Sequence, residues 1–290
     1  MNIRFQQISI FILILGFHSV YAQNKPIPQR VISLSPNLTE LVYDIGAQDQ
    51  LVGDTDFCKF PPDAKKKEKI GGWINPNFEK IVSLKPDLVL ALTFDEKAIF
   101  TLKKLKIPMA IFNCDRVQNI LENYNQMGRL LGHEVQAKAA QQSLMKRLDK
   151  IKQKAKGRKP LSVLFVIGRT PGTIEQVYAV GNKNFINELI EMAGGINVMA
   201  DAMTDYPMVS KEELIHRDPD LIVDSILSHD LKGGELDKRN AWAQMLTLKA
   251  VQQKHVYYFL NEDFLIPGPS MVKLGEFLCG TFEKVRADHE

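Results

Sequence analysis

The side chains best suited to recognising a ligand are aromatic residues in predicted loops. Phe57 and Trp73 lie in segments rich in Gly and Pro that follow short apolar runs, and Tyr178 and Tyr206 come after residue 167. Aromatic residues on connecting loops are less readily explained as core packing than those in periodic segments, although each could pack within its own loop. Jointly they predict a broad, flat, apolar ligand with a polar rim. The predicted ligand-binding residues are Phe57, Trp73, Tyr178, Tyr206, Asp263 and Phe264.

Two acidic residues, Glu79 and Glu212, have a different kind of position. Each falls in the first turn of a predicted helix, where the helix dipole stabilises a carboxylate by roughly 0.3 to 1 kcal/mol. Ser210 and Glu213 also form a predicted capping box, so helix stability alone would explain these acids. Their positions are nevertheless equivalent in two similar halves of the chain, so each half would project one acid on the same outer face. That arrangement predicts docking onto a pair of basic sites on a membrane partner.

Motifs for catalysis and for cofactor binding are missing from the sequence. It contains no Gly-rich nucleotide fingerprint, no Gly-x-Ser-x-Gly, no His-Glu-x-x-His and no cysteine pair with metal-ligand spacing. The histidines are scattered, so we expect no enzyme activity, no cofactor and no metal site. Metal capture by converging His and carboxylate side chains stays open as one alternative, and an exported hydrolase or oxidoreductase as another.

Residues 1–22 have the pattern of a secretory signal peptide. Arg4 precedes an apolar run over residues 8–16, and Val20-Tyr21-Ala22 suits cleavage after Ala22. The run is shorter than the about 20 apolar residues that cross a bilayer, and no Cys adjoins the cleavage point. We therefore expect a soluble periplasmic protein without a lipid anchor. The formal net charge of the full chain is +3 and is spread along it, which argues against binding to nucleic acid.

The chain length and the number of cysteines limit how many domains and disulfides the protein can have. The about 268 residues left after cleavage exceed the usual single core, which favours two domains. Cys58, Cys114 and Cys279 are an odd number, so at most one intrachain disulfide can form.

Strands alternate with helices in both halves of the chain, the pattern of a parallel sheet covered on both faces. In the first half, a helix stops before Lys85-Pro86-Asp87 and a buried strand follows. In the second half, a helix leads into Asp218-Pro219-Asp220 and another strand, 133 residues later. Chance similarity between ordinary α/β units would also account for this match. A repeat instead predicts two equivalent lobes, at 28–132 and 160–287.

The lobes are predicted to be joined by one long helix over residues 133–157. This stretch has no Gly or Pro until Gly157 and is rich in Ala, Gln, Lys and Leu. A helix of that length spans about 35 Å. A single rigid connector of this kind predicts small movement between the lobes.

Three segments resemble the iron-siderophore, haem and cobalamin binding-protein family of ABC transporters. They read RVISLSPNLTEL at residues 30–41, FPPDA at 60–64 and NFEKIVSLKPDLV at 77–89. The resemblance implies two Rossmann-like lobes with parallel-rich sheets around one connecting helix, the class III periplasmic binding protein fold. It also implies a monomer that holds its ligand between the lobes and delivers it to a membrane permease. By the same resemblance, Glu79 and Glu212 would form salt bridges with permease arginines.

Within that family, the resemblance favours cobalamin or a related corrinoid as the ligand, with the aromatic residues named above around the corrin. One departure is Leu92, where cobalamin binders have a tryptophan, so this wall would be thinner unless Phe94 substitutes. Haem or a ferric siderophore is the alternative. Haem would need an axial Tyr or His, which Tyr178 or Tyr206 could provide. An anionic siderophore would need cations, of which Arg169 is the one expected in the cleft.

Overall fold

The computed structural model describes residues 26–225, 240–260 and 265–288. The predicted signal peptide and the predicted binding residues Asp263 and Phe264 lie outside these ranges. Within them, no helix is both long enough and apolar enough to cross a membrane.

A five-stranded, fully parallel sheet forms the N-terminal lobe, in the order β3-β2-β1-β4-β5. All five residues of its strand β4 are buried, because helices cover both faces of a parallel sheet. The elements are β1 Val31–Ser33, α1 Pro36–Asp44, β2 Leu51–Asp54, β3 Glu68–Lys69, α2 Phe78–Ser83, β4 Leu88–Leu92, α3 Glu96–Lys104, β5 Met109–Phe112 and α4 Val117–Leu131.

One long helix, α5 at Glu134–Ala155, follows and joins the lobes. Gly132 ends α4 in the left-handed region at φ 74°, which lets the chain reverse into α5. The two helices then pack so closely that a Cβ on Gly128 would lie 2.6 Å from the Cβ of Ala137. Small residues at this crossing therefore set the distance between α4 and the connector.

A mixed six-stranded sheet forms the C-terminal lobe, in the order β11-β10-β6-β7-β9, with β8 also paired to β6. Among the described strands of this sheet, β7 is the one that runs in the opposite direction, antiparallel to its neighbours β6 and β9. The elements are β6 Leu161–Gly168, β7 Val177–Ala179, α6 Phe185–Met192, β8 Gly195–Asn197, β9 Met208–Val209, α7 Lys211–Arg217, β10 Leu221–Ser225, α8 Lys249–Gln252, β11 Val256–Phe259 and α9 Met271–Ala287.

The two lobes repeat one structural device at the same place. Lys85 and Asp218 both adopt positive φ, at 47° and 35°, each just before a proline. Asp87 then accepts a hydrogen bond from the backbone N–H of Arg30 at 2.9 Å, and Asp220 accepts one from that of Ser162 at 2.8 Å. Each aspartate thus ties the start of one central strand to the next, which gives the sequence repeat a structural reason.

One of three buried clusters extends through both lobes, while the other face of each sheet packs a cluster of its own. A single cluster of buried apolar residues runs from Val31 and Leu41 through Leu148 of α5 to Phe165 and Phe282. Cys58, Cys114 and Cys279 are all buried and unpaired in this fold, so no disulfide links them.

Two glutamates, one from each lobe, reach across to the opposite lobe. Glu188 of α6 accepts hydrogen bonds from the backbone N–H of Val117 at 2.6 Å and from Arg116 Nε at 2.5 Å. Glu40 of α1 accepts one from Ser270 Oγ at 3.0 Å. These bonds, together with the shared core, hold the lobes in one arrangement.

Candidate functional site

A cavity of about 340 Å³ opens where loops of the two lobes meet. Its N-terminal wall comes from loops that leave the carboxyl ends of β1, β2, β3 and β4, which is where ligands bind in open α/β sheets. Its opposite wall comes from the segment before α9. The lining residues are Ser35, Pro36, Asn37, Phe57, Trp73, Leu92, Phe94, Leu265, Ile266 and Pro267. None of these residues carries a charge.

Three aromatic rings of the N-terminal lobe face this space. The rings of Trp73 and Phe94 meet edge to face, with their centroids 6.0 Å apart and an interplanar angle of 86°. Phe57, Trp73 and Phe94 are 51%, 43% and 56% exposed, far more than a folding core requires. Grouped apolar surface of this kind marks an interaction site. The structure therefore brings Phe57 and Trp73 together, and places Phe94 beside them.

The loops that carry Phe57 and Trp73 are tied to each other. The backbone N–H of Asp56 donates to Gly71 O at 3.0 Å, and Gly71 has φ 88°, which favours glycine. A Cβ on Gly72 would lie 3.6 Å from the Phe57 ring. The two rings are thereby presented by one connected piece of backbone.

The floor of the cavity is where the lobes touch. Asn37 donates from Nδ2 to the carbonyl of Pro267 at 3.1 Å, and Ser35 Oγ donates to Asn37 Oδ1. Sequence reasoning did not select Leu265, Ile266 or Pro267 as lining residues. The available signal was the run Pro267-Gly268-Pro269, which predicts a loop after the last strand.

Tyr178 and Tyr206 lie in the C-terminal lobe but do not line the described cavity. Tyr178 is on β7, opposite Met208 of β9, and is 42% exposed; Tyr206 is 45% exposed. Partial burial raises the pKa of Tyr206, and the charges of Asp205 and of Asp115 from the other lobe raise it further.

Arg169 does not serve as a cleft cation, contrary to the sequence-based expectation. Its side chain is only 5% exposed, and Nε donates to Asp224 Oδ2 at 2.8 Å. Trp242 Nε1 donates to the same oxygen at 2.7 Å. The guanidinium is committed to a buried ion pair because a buried charge needs a partner in low dielectric.

Glu79 and Glu212 each occupy the second residue of an exposed helix, α2 and α7 respectively. Asn77 caps α2 by accepting from the N–H of Lys80 at 2.9 Å, and Ser210 caps α7 by accepting from that of Glu213 at 3.1 Å. Hydrogen bonds from its own backbone N–H and from Ser210 lower the pKa of Glu212. It therefore keeps its negative charge.

The predicted capping box at Ser210 is half formed. Ser210 caps the helix as expected, but the carboxylate of Glu213 accepts from Arg217 Nε at 2.6 Å instead of returning to the cap. Arg217 also pairs with Asp201 at 2.7 Å, so a local ion-pair network competes for this acid. No group of three or more potential metal ligands occurs among the described residues.

Comparison with known proteins decides the family. The model of the periplasmic binding protein family matches residues 31–262, which is most of the chain. This chain belongs to that family. As a periplasmic binding protein it is similar to the vitamin B12-binding proteins of Photorhabdus laumondii, at 29% identity over 94% of this chain and 93% of the relative, and of Pectobacterium atrosepticum, at 27% identity over 90% of each.

Solved structures confirm the predicted fold class. The periplasmic vitamin B12 binding protein BtuF of Vibrio cholerae superposes with a TM-score of 0.77 at 24% identity, over 90% of this chain and 99% of that one. The periplasmic haem binding protein HutB of Vibrio cholerae gives a TM-score of 0.75 at 21% identity, over 88% and 98%. The same architecture thus accompanies different ligands, so the ligand of this periplasmic binding protein depends on its own cavity.

Proposed function

We propose that this chain is the solute-binding protein of an ABC importer, which captures cobalamin or a related corrinoid between its lobes and delivers it to a membrane permease. The observation that carries the proposal is the aromatic cavity between the lobes, whose described lining carries no charge, together with relatives named for vitamin B12 binding. We further propose export to the periplasm after removal of residues 1–22, and action as a monomer. Its task is binding and not turnover.

The cavity suits a large macrocycle with an apolar face. Phe57, Trp73 and Phe94 offer ring surfaces on one side, and Leu265 and Ile266 offer aliphatic surface on the other. Aromatic contacts of this type contribute about 0.5–1.5 kcal/mol each beyond area burial. The volume enclosed at this point, about 340 Å³, holds part of a corrin, with the remainder extending toward the C-terminal lobe. In this proposal Tyr178, Tyr206, Asp263 and Phe264 contact that remainder.

Haem capture is the second candidate, since haem-binding proteins share the fold. A ferric axial ligand from tyrosine requires the phenolate, and the pKa of Tyr206 is raised by burial and by the nearby carboxylates Asp205 and Asp115. That environment disfavours the phenolate. A ferric siderophore fits less well, because Arg169 is held by Asp224 and the lining residues that the structure describes carry no charge.

A panel of ligands tests the proposal. Purified protein lacking residues 1–22 is heated with cyanocobalamin, cobinamide, haemin or a ferric hydroxamate. A ligand at 100 times its dissociation constant stabilises the folded state by about 2.7 kcal/mol, which raises the melting temperature measurably. We expect shifts with the two corrinoids. A shift with haemin alone would replace the corrinoid assignment by haem.

Delivery is tested separately. Glu79 and Glu212 are proposed to dock the two lobes on permease cations, so Glu79→Ala with Glu212→Ala should leave the dissociation constant of cyanocobalamin unchanged and stop its uptake by cells. A loss of ligand affinity in the double variant would instead assign these acids to the ligand site.

A further inference from the structure

The helices α2 and α7 can be compared residue by residue, because they occupy the same place in the two lobes with an offset of 133 residues. Behind each docking acid, Ile81 and Leu214 point inward and are 0% and 1% exposed. The next residues, Val82 and Ile215, point outward, and each is 48% exposed. Both lobes therefore present a glutamate and, three residues later, an exposed β-branched aliphatic side chain.

Other outward positions of the two helices have diverged completely. Lys80 corresponds to Glu213, so the charge is reversed at that position. Ser83 corresponds to His216. Only the glutamate and the aliphatic residue keep their chemistry on the solvent side, which indicates a requirement common to both lobes.

The stability of the two helices does not explain why Val82 and Ile215 are aliphatic. A β-branched residue is a weaker helix former than Ala, Lys or Glu, because its χ1 rotamers are restricted. Val82 and Ile215 each leave about half of their surface in water, and Ile81 and Leu214 already anchor the helices to the lobes. A polar residue would serve a short, solvent-exposed helix better.

Topology places both pairs at the rim of the ligand cleft. Each helix runs back from the carboxyl edge of its sheet to the start of a central strand, β4 or β10, so its first turn lies beside the cleft loops. Residues three apart on a helix are neighbours, with Cβ atoms about 5–6 Å apart. Glu79 with Val82, and Glu212 with Ile215, thus form two similar acid and aliphatic patches, one on each lobe.

We infer that Val82 and Ile215 are paired apolar anchors for a membrane permease that presents the same surface twice, with a cation beside an apolar pocket in each copy. The inference rests on the proposed importer function. A partner built from two identical subunits offers equal sites by symmetry. The glutamates steer and orient the encounter, as charges at an interface rim do, and the aliphatic pair lengthens the lifetime of the complex.

Serine substitutions test the anchors. Val82→Ser, Ile215→Ser and the double variant are compared for binding to the cobalamin permease of the source organism, reconstituted with its ATPase in nanodiscs. We expect each single change to weaken binding by a similar factor of about three, and the double change by about tenfold, as independent contacts multiply. The loss should appear as faster dissociation. Its size should change little between low and high salt, because apolar contacts are not screened.

Controls separate the possible outcomes. Val135→Ser removes a side chain that is 80% exposed on α5 and should leave permease binding unchanged. Glu79→Gln with Glu212→Gln should weaken binding most at low salt, where charges are least screened.

The outcomes are distinguishable. If the serine double variant binds the permease as tightly as the wild type while the glutamine double variant binds more weakly, the apolar anchors are disproved but docking through the glutamates stands. If only one of the two single serine variants loses most of its permease binding, the partner does not present the same surface twice. If the unmodified protein binds neither cyanocobalamin nor the permease, the proposed function itself is wrong.

Discussion

Trp73 combines a large exposed ring with a fixed position. It is held edge to face against Phe94, and its loop is tied to that of Phe57. Little ordering of these rings is therefore needed when a ligand arrives, which favours affinity. Phe94 occupies the region where the thinner wall at Leu92 was expected from the sequence, and both residues line the cavity.

Replacing this ring should weaken ligand binding without unfolding the protein. For Trp73→Ala we expect the dissociation constant of cyanocobalamin to rise at least about tenfold, since buried aromatic anchors dominate such interfaces. Isothermal titration calorimetry measures the change. Phe100→Ala is the matched control, because that ring is 61% exposed on α3 and does not line the cavity. If Trp73→Ala and Phe100→Ala bind cyanocobalamin with equal affinity, the ligand does not contact the wall that Trp73 forms.

Glu40 makes stability depend on pH. Burial between the lobes raises the pKa of its carboxyl to about 8, while the hydrogen bond from Ser270 acts in the opposite direction. In the unfolded chain it titrates near 4.5. The folded protein therefore holds a proton that the unfolded chain has lost between these values, and stability falls as pH rises from about 4.5 to about 8.

The variant Glu40→Gln should remove this dependence. We expect its free energy of unfolding to fall less between pH 5 and pH 9 than that of the wild type, by an amount on the order of a few kcal/mol. Urea denaturation at several pH values measures it. Parallel pH profiles for the two proteins would show that Glu40 titrates normally in the folded state.

At the level of elements, the crossing of α4 and α5 depends on Gly128. Alanine would favour the helix by about 1 kcal/mol, but its Cβ would lie 2.6 Å from that of Ala137, well inside contact distance. Overpacking of this kind costs typically 1–3 kcal/mol, so the clash should win. We expect Gly128→Ala to lower the midpoint of thermal unfolding, and Ala137→Gly added to it to recover part of the loss. If Gly128→Ala instead raised the midpoint of thermal unfolding, the two helices could move apart with no loss of stability.

Much of this architecture was accessible from the amino-acid pattern. Strand β4 and the connector α5 follow from an apolar run and from the absence of Gly and Pro, because both signals are local. The wall at residues 265–267 and the burial of Arg169 were not accessible. They depend on contacts with Asn37, 230 residues away, and with Asp224, 55 residues away. Local periodicity carries no information about such partners.

For the whole molecule, the connections between the lobes oppose large movement. One helix joins them, one core runs through both, and Glu40 and Glu188 bond to the opposite lobe. A hinge made of several extended strands has no counterpart in the described residues. Ligand entry should therefore involve loops and side chains at the cavity more than rotation of the lobes.

Distance measurements between spin labels at Lys104 and Met203, one exposed residue on each lobe, test this rigidity. We expect the mean distance to change by less than about 2 Å when cyanocobalamin is added, as in pre-organised complexes. A second pair, at Lys65 and Lys211, guards against movement of a single site. Changes of several ångströms in both pairs would establish lobe closure.

The buried cluster shared by the two lobes has a consequence for survival outside the cytoplasm. The buried cluster that passes through α5 packs against both sheets, although the other face of each sheet packs a cluster of its own, so loss of the shared packing should destabilise both lobes together. Proteases act on the small fraction of molecules that have lost this packing, and the size of that fraction is set by the free energy of opening. A bound ligand lowers that fraction for both halves at once, so molecules carrying cargo would be degraded more slowly than empty ones.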